Sequence, residues 1–451
     1  MQDPGDGTAT LRLPKGGWMI RSTLFDGHHA TQLIHPGLDL AENQTLDLDA
    51  RLGKPISVTV PDPSAAQVGA QVTFTDGKSS YSLAPDGFEN MTTAQLGPDQ
   101  AYDGALTQIT GTWVSPGGSR AYRLAWFHEG GMVTGFRRKV LVSDLAVVHT
   151  AYAAHLIGGR GRAAAAAQPP GGPITGLLTE TTFSTPSVRV EYVNAEGGAK
   201  WRRYFWEDGP ASGETTLESS LTGYTPGRVH RESWNLGVFS PVLTGDAESG
   251  RLTRSGDSIH MTVPMYGDGA GHAGRSATTR ARVALYRDGV LVAERSELGG
   301  KGFNVPPGAA DYRLVVEAER GAPATLSTRI STAWTFRSEH TEDDNPLPVS
   351  VVRFSPVLDA RNTAPSGETY RVPVRVERQP GATADEVRDL TVEVSFDDGA
   401  TWSAAHIRKG QVTVSHPAAE GFVSLRAKAA DTSGNTVEQT VIRSYRIAPR
   451  N

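Results

Sequence analysis

Twelve histidines, 49 carboxylate side chains and no cysteine set the chemistry open to this chain. Without a thiol there is no disulfide framework, no thiolate metal site and no cysteine nucleophile. A serine nucleophile needs a defined turn with a positioned histidine and carboxylate. Neither Gly-x-Ser-x-Gly nor Gly-Thr-Ser-Met-Ala occurs. His128-Glu129 runs into Gly130-Gly131 with no second histidine at helical spacing, so it is not a helical zinc-protease motif. His28-His29 is a loop-like pair. The segments from Asp257 to His260 and from Tyr266 to His272 resemble calcium loops only in their Asp and Gly content. They lack the twelve-residue pattern with a closing bidentate glutamate, and read as turns. The expectation is no catalytic residue, no cofactor and no metal.

Aromatic side chains offer a binding route instead. Trp201, Tyr204 and Trp206 fall within six residues, and strand alternation puts Tyr204 and Trp206 on one face. The three form a candidate platform for sugar or peptide, set against the plainer reading that this face is core. Trp402, directly after Asp398-Gly399, reads as packed on its own hairpin.

The elements that position these residues are strands. Phe239-Ser240-Pro241-Val242-Leu243 recurs at 354 to 358, which is 115 residues on and a domain-sized period. Asp288-Gly289 and Asp398-Gly399 each follow an alternating run in the two copies. Asp-Gly there signals a turn, because both central residues of a type I′ turn need positive φ. Tyr312 and Phe422 each lie 24 residues beyond their turn. Residues from about 236 onward therefore read as one all-β module built twice.

Other segments alternate as well, among them 68–74, 105–114, 121–128 and 145–152, with no crossover helices between them. That pattern favours antiparallel sandwiches over an α/β fold. The expected fold class is all-β, as tandem antiparallel β-sandwich domains. The expected divisions are 1–60, a small N-terminal module or the first strands of a larger one; 61–235, a larger sandwich; 236–345, the first repeat; and 346–451, the second. Residues 157–173, with five alanines between Gly and Pro clusters, read as an exposed loop cut first by proteases. Residues 187–193 and 200–206 read as a hairpin across Glu196-Gly197-Gly198, and 383–389 as a possible helical turn. The acidic, proline-punctuated stretch 338–348 reads as a linker.

With 451 residues, 38% hydrophobic and 21% charged, the chain can bury several cores. A net charge of −5 argues against nucleic acid as a main partner. No apolar run is long enough to span a membrane, and the first residues lack the basic start and apolar stretch of a signal peptide. Asn43-Gln-Thr45 and Asn90-Met-Thr92 are glycosylation sequons, which matter only in a glycosylating host.

Tyr224-x-Pro-Gly, Trp234-Asn-x-Gly-Val-Phe239, the two Phe-Ser-Pro-Val-Leu copies, Lys54-Pro55-Ile56 with Leu48-Asp49-Ala50-Arg51 before it, and Val394 to Trp402 together resemble the long C-terminal region of secreted subtilisin-like serine proteases of actinobacteria. The resemblance covers essentially the whole chain, and the motifs are structural. The family's Asp-Thr/Ser-Gly, His-Gly-Thr and Gly-Thr-Ser-Met-Ala motifs have no matching positions; Asp431-Thr-Ser-Gly434 lies after an alternating strand and reads as an Asx-turn. The closing module is also similar to immunoglobulin and fibronectin type III sandwiches. The resemblance implies a secreted, extracellular, non-catalytic accessory region acting as spacer, stabiliser or docking arm. Its partners would be a subtilisin-like catalytic domain in the same precursor and a protein substrate or cell-wall polymer. The alternatives are a polysaccharide- or cell-surface-binding module, and an enzyme with an unfamiliar site in 61–235.

Overall fold

The structure, a computed structural model, describes residues 7–156, 158–209, 215–244, 250–299, 302–383 and 386–450. Strands dominate it, joined by turns and five short 3-10 segments among the described residues. No helix among them is long and apolar enough to cross a membrane.

The N-terminal half is three stacked sheets. The first runs Gly16–Asp26, His29–Leu40, Met91–Gln95, Lys54–Thr59, Phe136–Lys139. The middle sheet has seven strands, with Arg120–Glu129 near its centre. Alternation along that strand supplies both interfaces. Tyr122, Leu124 and Trp126 enter the core shared with Ile34 and Ile56 of the first sheet. Ala125 packs the other way, against Trp201 of the third sheet. A sheet covered on both faces has no solvated side, so polar residues such as Arg123 end up buried on it.

Of the expected 1–60 module, residues 7–60 are therefore the first strands of a larger body, not a module of their own. Lys54 and Pro55 pair with Thr93 and Thr92, and Ile56 to Thr59 pair with Phe136 to Lys139. The seam expected near 235 is likewise crossed, because Ala273–Ser276 pairs with Thr215–Glu218 at the edge of the third sheet.

The alanine run is not a loop. Arg160–Gln168 is an inner strand of the third sheet, between Thr181–Ser184 and Lys200–Asp208. Ala163 to Ala167 are all buried. Alanine is a poor strand former by propensity, and what holds it here is tertiary packing. Large rings opposite need small neighbours, and Trp201 sits directly across from Ala167 and in the same cluster as Ala165, Ala125 and Ala146. Limited trypsin digestion is expected to leave the bonds after Arg160 and Arg162 intact in the native chain. A first fragment ending at either residue, identified by mass spectrometry, would refute this placement.

The expected hairpin between 187–193 and 200–206 does not form either. Ser187–Asn194 pairs with Leu145–Tyr152 in the middle sheet, while Lys200–Asp208 belongs to the third. The intervening glycines turn the chain from one layer into the next, with Gly197 and Gly198 at φ 66° and 77°.

In the C-terminal half the two copies show the same strand order. Val290–Arg295, Arg280–Arg287, Ala310–Glu319, Arg329–Ser338 in one corresponds to Ser403–Ala405, Val387–Ser395, Gly421–Asp431, Thr436–Ala448 in the other. Each is backed by a smaller sheet, and the order matches the sandwich architecture expected. Both Asp-Gly pairs have positive φ: 49° and 80° at Asp288 and Gly289, 55° and 86° at Asp398 and Gly399. The last strands of the two copies pair with each other, Arg329 to Thr335 against Thr436 to Ile442, antiparallel. The copies thus share one sheet, and each hides the other's edge.

The expected linker is a strand as well. Thr341–Pro346 pairs with Leu252–Gly256 at the margin of the first copy's smaller sheet. Its acidic side chains face solvent, and a sheet edge accepts such residues because the ladder uses only backbone. The expected helical turn at 383–389 falls partly on Ala384 and Asp385, outside the described residues.

Candidate functional site

Of the three platform residues, two come together and one does not. Lys200–Asp208 alternates strictly, with Trp201, Arg203, Phe205 and Glu207 inward. Trp201 is fully buried and its indole N–H donates to the Asn194 carbonyl at 2.6 Å. Tyr204 and Trp206 stand half-buried on the outer face, ring centroids 5.9 Å apart and planes 15° off parallel. Across from Tyr204 lies Ala164, so the ring rises over a small neighbour. Arg162, opposite Trp206, places its guanidinium 5.3 Å from the indole centroid. Asp208 and Glu180 hold that guanidinium, at 2.8 and 2.6 Å. The hydrogen bond that Arg162 donates to Asp208 raises the Arg162 pKa against the cost of burial. The outer face therefore carries an aromatic pair with one indole face already under a fixed cation, rimmed by carboxylates.

A second feature was visible in the sequence only as a rejected motif. His128 and Glu129 line two adjoining clefts of about 700 and 420 Å³. Val133 and Phe136 are common to both, and Trp126 joins them in the smaller, its ring 5.3 Å from Phe136. The loop wall is braced: Met132 N–H donates to Gln95 Oε1 at 2.9 Å, and Thr107 Oγ1 donates to the Gly131 carbonyl at 2.7 Å. Neither lining contains a serine, and the Thr134 hydroxyl already accepts the Gln95 N–H. The arrangement suits binding of a side chain or small group with an apolar body and a polar end.

Among the described residues an alcohol–imidazole–carboxylate series forms that sequence reasoning missed. Thr215 Oγ1 lies 3.2 Å from His155 Nε2, and the Nδ1 side of the ring faces Glu207. The order matches a hydrolase triad. The environment does not: His155 and Glu207 side chains are fully buried, Thr215 is fully buried, and Phe239 lies over the imidazole with centroids 5.2 Å apart. Glu207 also accepts from Asn235 Nδ2 at 2.7 Å and Thr185 Oγ1 at 2.9 Å. With no path for a substrate, the three act as an internal lock between layers. Nothing in the sequence marks them, because they come from separate segments.

Burial pushes the His155 pKa below its ordinary 6.5 despite the contact with Glu207. Burial likewise lowers His35 and His416. Each is neutral in the fold and takes a proton more readily once unfolded. Their contribution to stability is therefore complete above about pH 6.5 and falls as pH drops below it. Burial raises the Glu207 pKa, but the contacts of His155 and Asn235 outweigh it, so this carboxylate adds its loss only further down, below 4.5. The thermal midpoint is expected to fall between about pH 8 and pH 5.5, with a shallower slope in His155→Gln. A flat profile would contradict it.

The calcium-like loops do not converge. Asp268 is buried and accepts from the N–H groups of Asn235, Ala270 and His272. Asp257 pairs with Arg254 and His340. Among the described residues no three His, Cys, Asp or Glu side chains group to hold a metal. Asp431 Oδ1 accepts from Ser433 and Asn435 N–H, an Asx-turn as read from the sequence. Trp402 donates to the Gly399 carbonyl at 2.9 Å beneath Arg426, packed on its hairpin.

No protein-family model matches the chain, and no curated protein matches it. Among solved structures, the N-terminal four immunoglobulin domains of Dscam1 isoform 4.44 match at 8% identity, covering 88% of this chain and 98% of that one with a TM-score of 0.15. Extracellular domains 3–5 of Drosophila OTK match at 13% identity, covering 66% and 97%, with a TM-score of 0.14. At such scores the molecules do not superpose as wholes. The class rests on the chain's own strand order: it is an all-β array, three stacked sheets followed by two β-sandwiches that are immunoglobulin-like at the C-terminal end; the antiparallel expectation fails in the first half, where Val147–Tyr152 pairs in parallel with Val229–Trp234 and Val190–Val193 with Arg120–Arg123.

Proposed function

We propose that the chain is the non-catalytic accessory β-sandwich region of a secreted subtilisin-like serine protease, serving as a spacer and docking arm for a protein substrate or partner. What supports this reading is the continuity of the body. The two copies share a sheet through Thr332 and Gln439, and Asn362 Nδ2 donates to the carbonyls of both Ala154 and Asn235, tying the second copy to the three-sheet half. An arm built this way presents the cleft beside His128 and Glu129 at a set distance from whatever it is attached to. The purified chain is expected to show no peptidase activity on casein. Turnover abolished by a serine-directed inhibitor would end this reading.

A second reading, an extracellular polysaccharide- or cell-surface-binding module, is favoured by Tyr204 and Trp206 standing on the outer face. Retention on insoluble glycans that is lost in Trp206→Ala would support it; no retention on any polymer removes it.

A further inference from the structure

Between the middle and third sheets, Arg123, Arg189, Arg203 and Glu191 are each no more than 2% exposed. Glu232 closes the group at its margin, with its side chain 21% exposed. Three guanidiniums thus face two carboxylates, and the carboxylates are already engaged. Arg203 binds both Glu191 and Glu232, and adds Thr150 Oγ1 at 3.1 Å and Tyr152 OH at 3.3 Å. Glu232 also accepts Tyr224 OH at 2.6 Å and Trp234 Nε1 at 3.2 Å. Tyr152 OH donates to Glu191 at 3.4 Å.

Arg123 is mostly satisfied by protein oxygens: the carbonyls of Ala163 at 2.8 Å and Thr179 at 3.1 Å, and Thr181 Oγ1 at 2.9 Å. Its Nε has no hydrogen-bond partner and stands 3.8 Å from Glu191. Arg189 differs in kind. Among the described residues none of its three guanidinium nitrogens has a hydrogen-bond partner; the Phe183 ring lies 4.3 Å from Cζ, and Glu191 feels its charge without a hydrogen bond. A guanidinium is a permanent charge in a protein. An unpaired buried charge is strongly unfavourable, and a ring face compensates only a fraction of it.

We propose that the guanidinium of Arg189, with the free Nε–H of Arg123, forms an internal site for one small inorganic monovalent anion, such as chloride or nitrate. The anion balances the odd positive charge and accepts the orphaned N–H groups as charge-assisted hydrogen bonds. The site's role is to cement the middle and third sheets. This inference is independent of the docking reading above.

The test uses the full chain and thermal unfolding in a chloride series, with gluconate replacing chloride at constant ionic strength. A ligand bound only by the folded state raises the midpoint with its logarithm once above its dissociation constant. The expected result is a midpoint that climbs by several degrees across the series, and an Arg189→Met chain whose midpoint ignores chloride. A flat response in the unaltered chain, or an equal response in Arg189→Met, overturns the proposal. Should Arg189→Met fail to fold, bromide in crystals of the unaltered chain decides it: an anomalous peak between Arg189 and Arg123 supports the site, and its absence refutes it.

Discussion

Arg353→Met is expected to lower the stability of the chain by about 3–5 kcal/mol, among the largest single losses available to it. Arg353 precedes the second Phe-Ser-Pro-Val-Leu and is 1% exposed. Its guanidinium inserts into the first copy of that pentapeptide, where NH1 donates to Ser240 Oγ at 2.6 Å and to the carbonyls of Pro241 at 3.1 Å and Ser240 at 3.2 Å. NH2 donates to the Asp268 carbonyl. Burial brings the pKa down to about 10, so the group stays charged at neutral pH. Methionine matches the stem but takes the guanidinium donor from the Ser240 and Pro241 carbonyls and the Ser240 hydroxyl, each costing about 1–3 kcal/mol when left unpaired and buried, while the Asp268 carbonyl keeps the Gly271 N–H. Lysine does not rescue it, because a single ammonium cannot reproduce the planar fork. Denaturant unfolding measures the loss; a change under about 1 kcal/mol would show that the two pentapeptides are not joined through this side chain.

Trp201→Ala and Trp206→Ala are expected to part company, although they lie five residues apart on one strand. Trp201 fills the space above Ala125, Ala146, Ala165 and Ala167, and its loss leaves a cavity that those methyl groups cannot close. The expected cost is about 3–5 kcal/mol, with an additional unsatisfied Asn194 carbonyl. Trp206 is half-buried on the outer face against Arg162 and Tyr204, and its truncation is expected to cost about 1 kcal/mol. Equal losses at both positions would mean that the strand is turned over relative to the arrangement described here.

The pentapeptide period, the Asp-Gly turns and the alternation were readable directly. All three follow from local backbone preference, since positive φ at Asp288 and Asp398 and a period of two need no knowledge of the rest of the chain. The Gly/Ala/Pro stretch misled because composition speaks for the isolated segment. Ala163 to Ala167 become strand through what lies across from them, which is Trp201 and Phe205 contributed some forty residues later. The linker reading of 338–348 failed for a similar reason: acidic residues mark solvent, and a sheet edge is also solvent.

Read alone, the sequence determined an all-β chain, a module made twice from about residue 236, and no recognisable bond-breaking motif. Only the tertiary structure decided which sheet each strand joins, that the strands between residues 16 and 60 complete a neighbour's core, that the two copies fuse through their last strands, and that Tyr204 and Trp206 face outward while Trp201 does not. Alternation names two faces of a strand without saying which will be covered. That choice depends on contacts between residues a hundred or more positions apart, such as Arg353 with Ser240, and no local preference carries it.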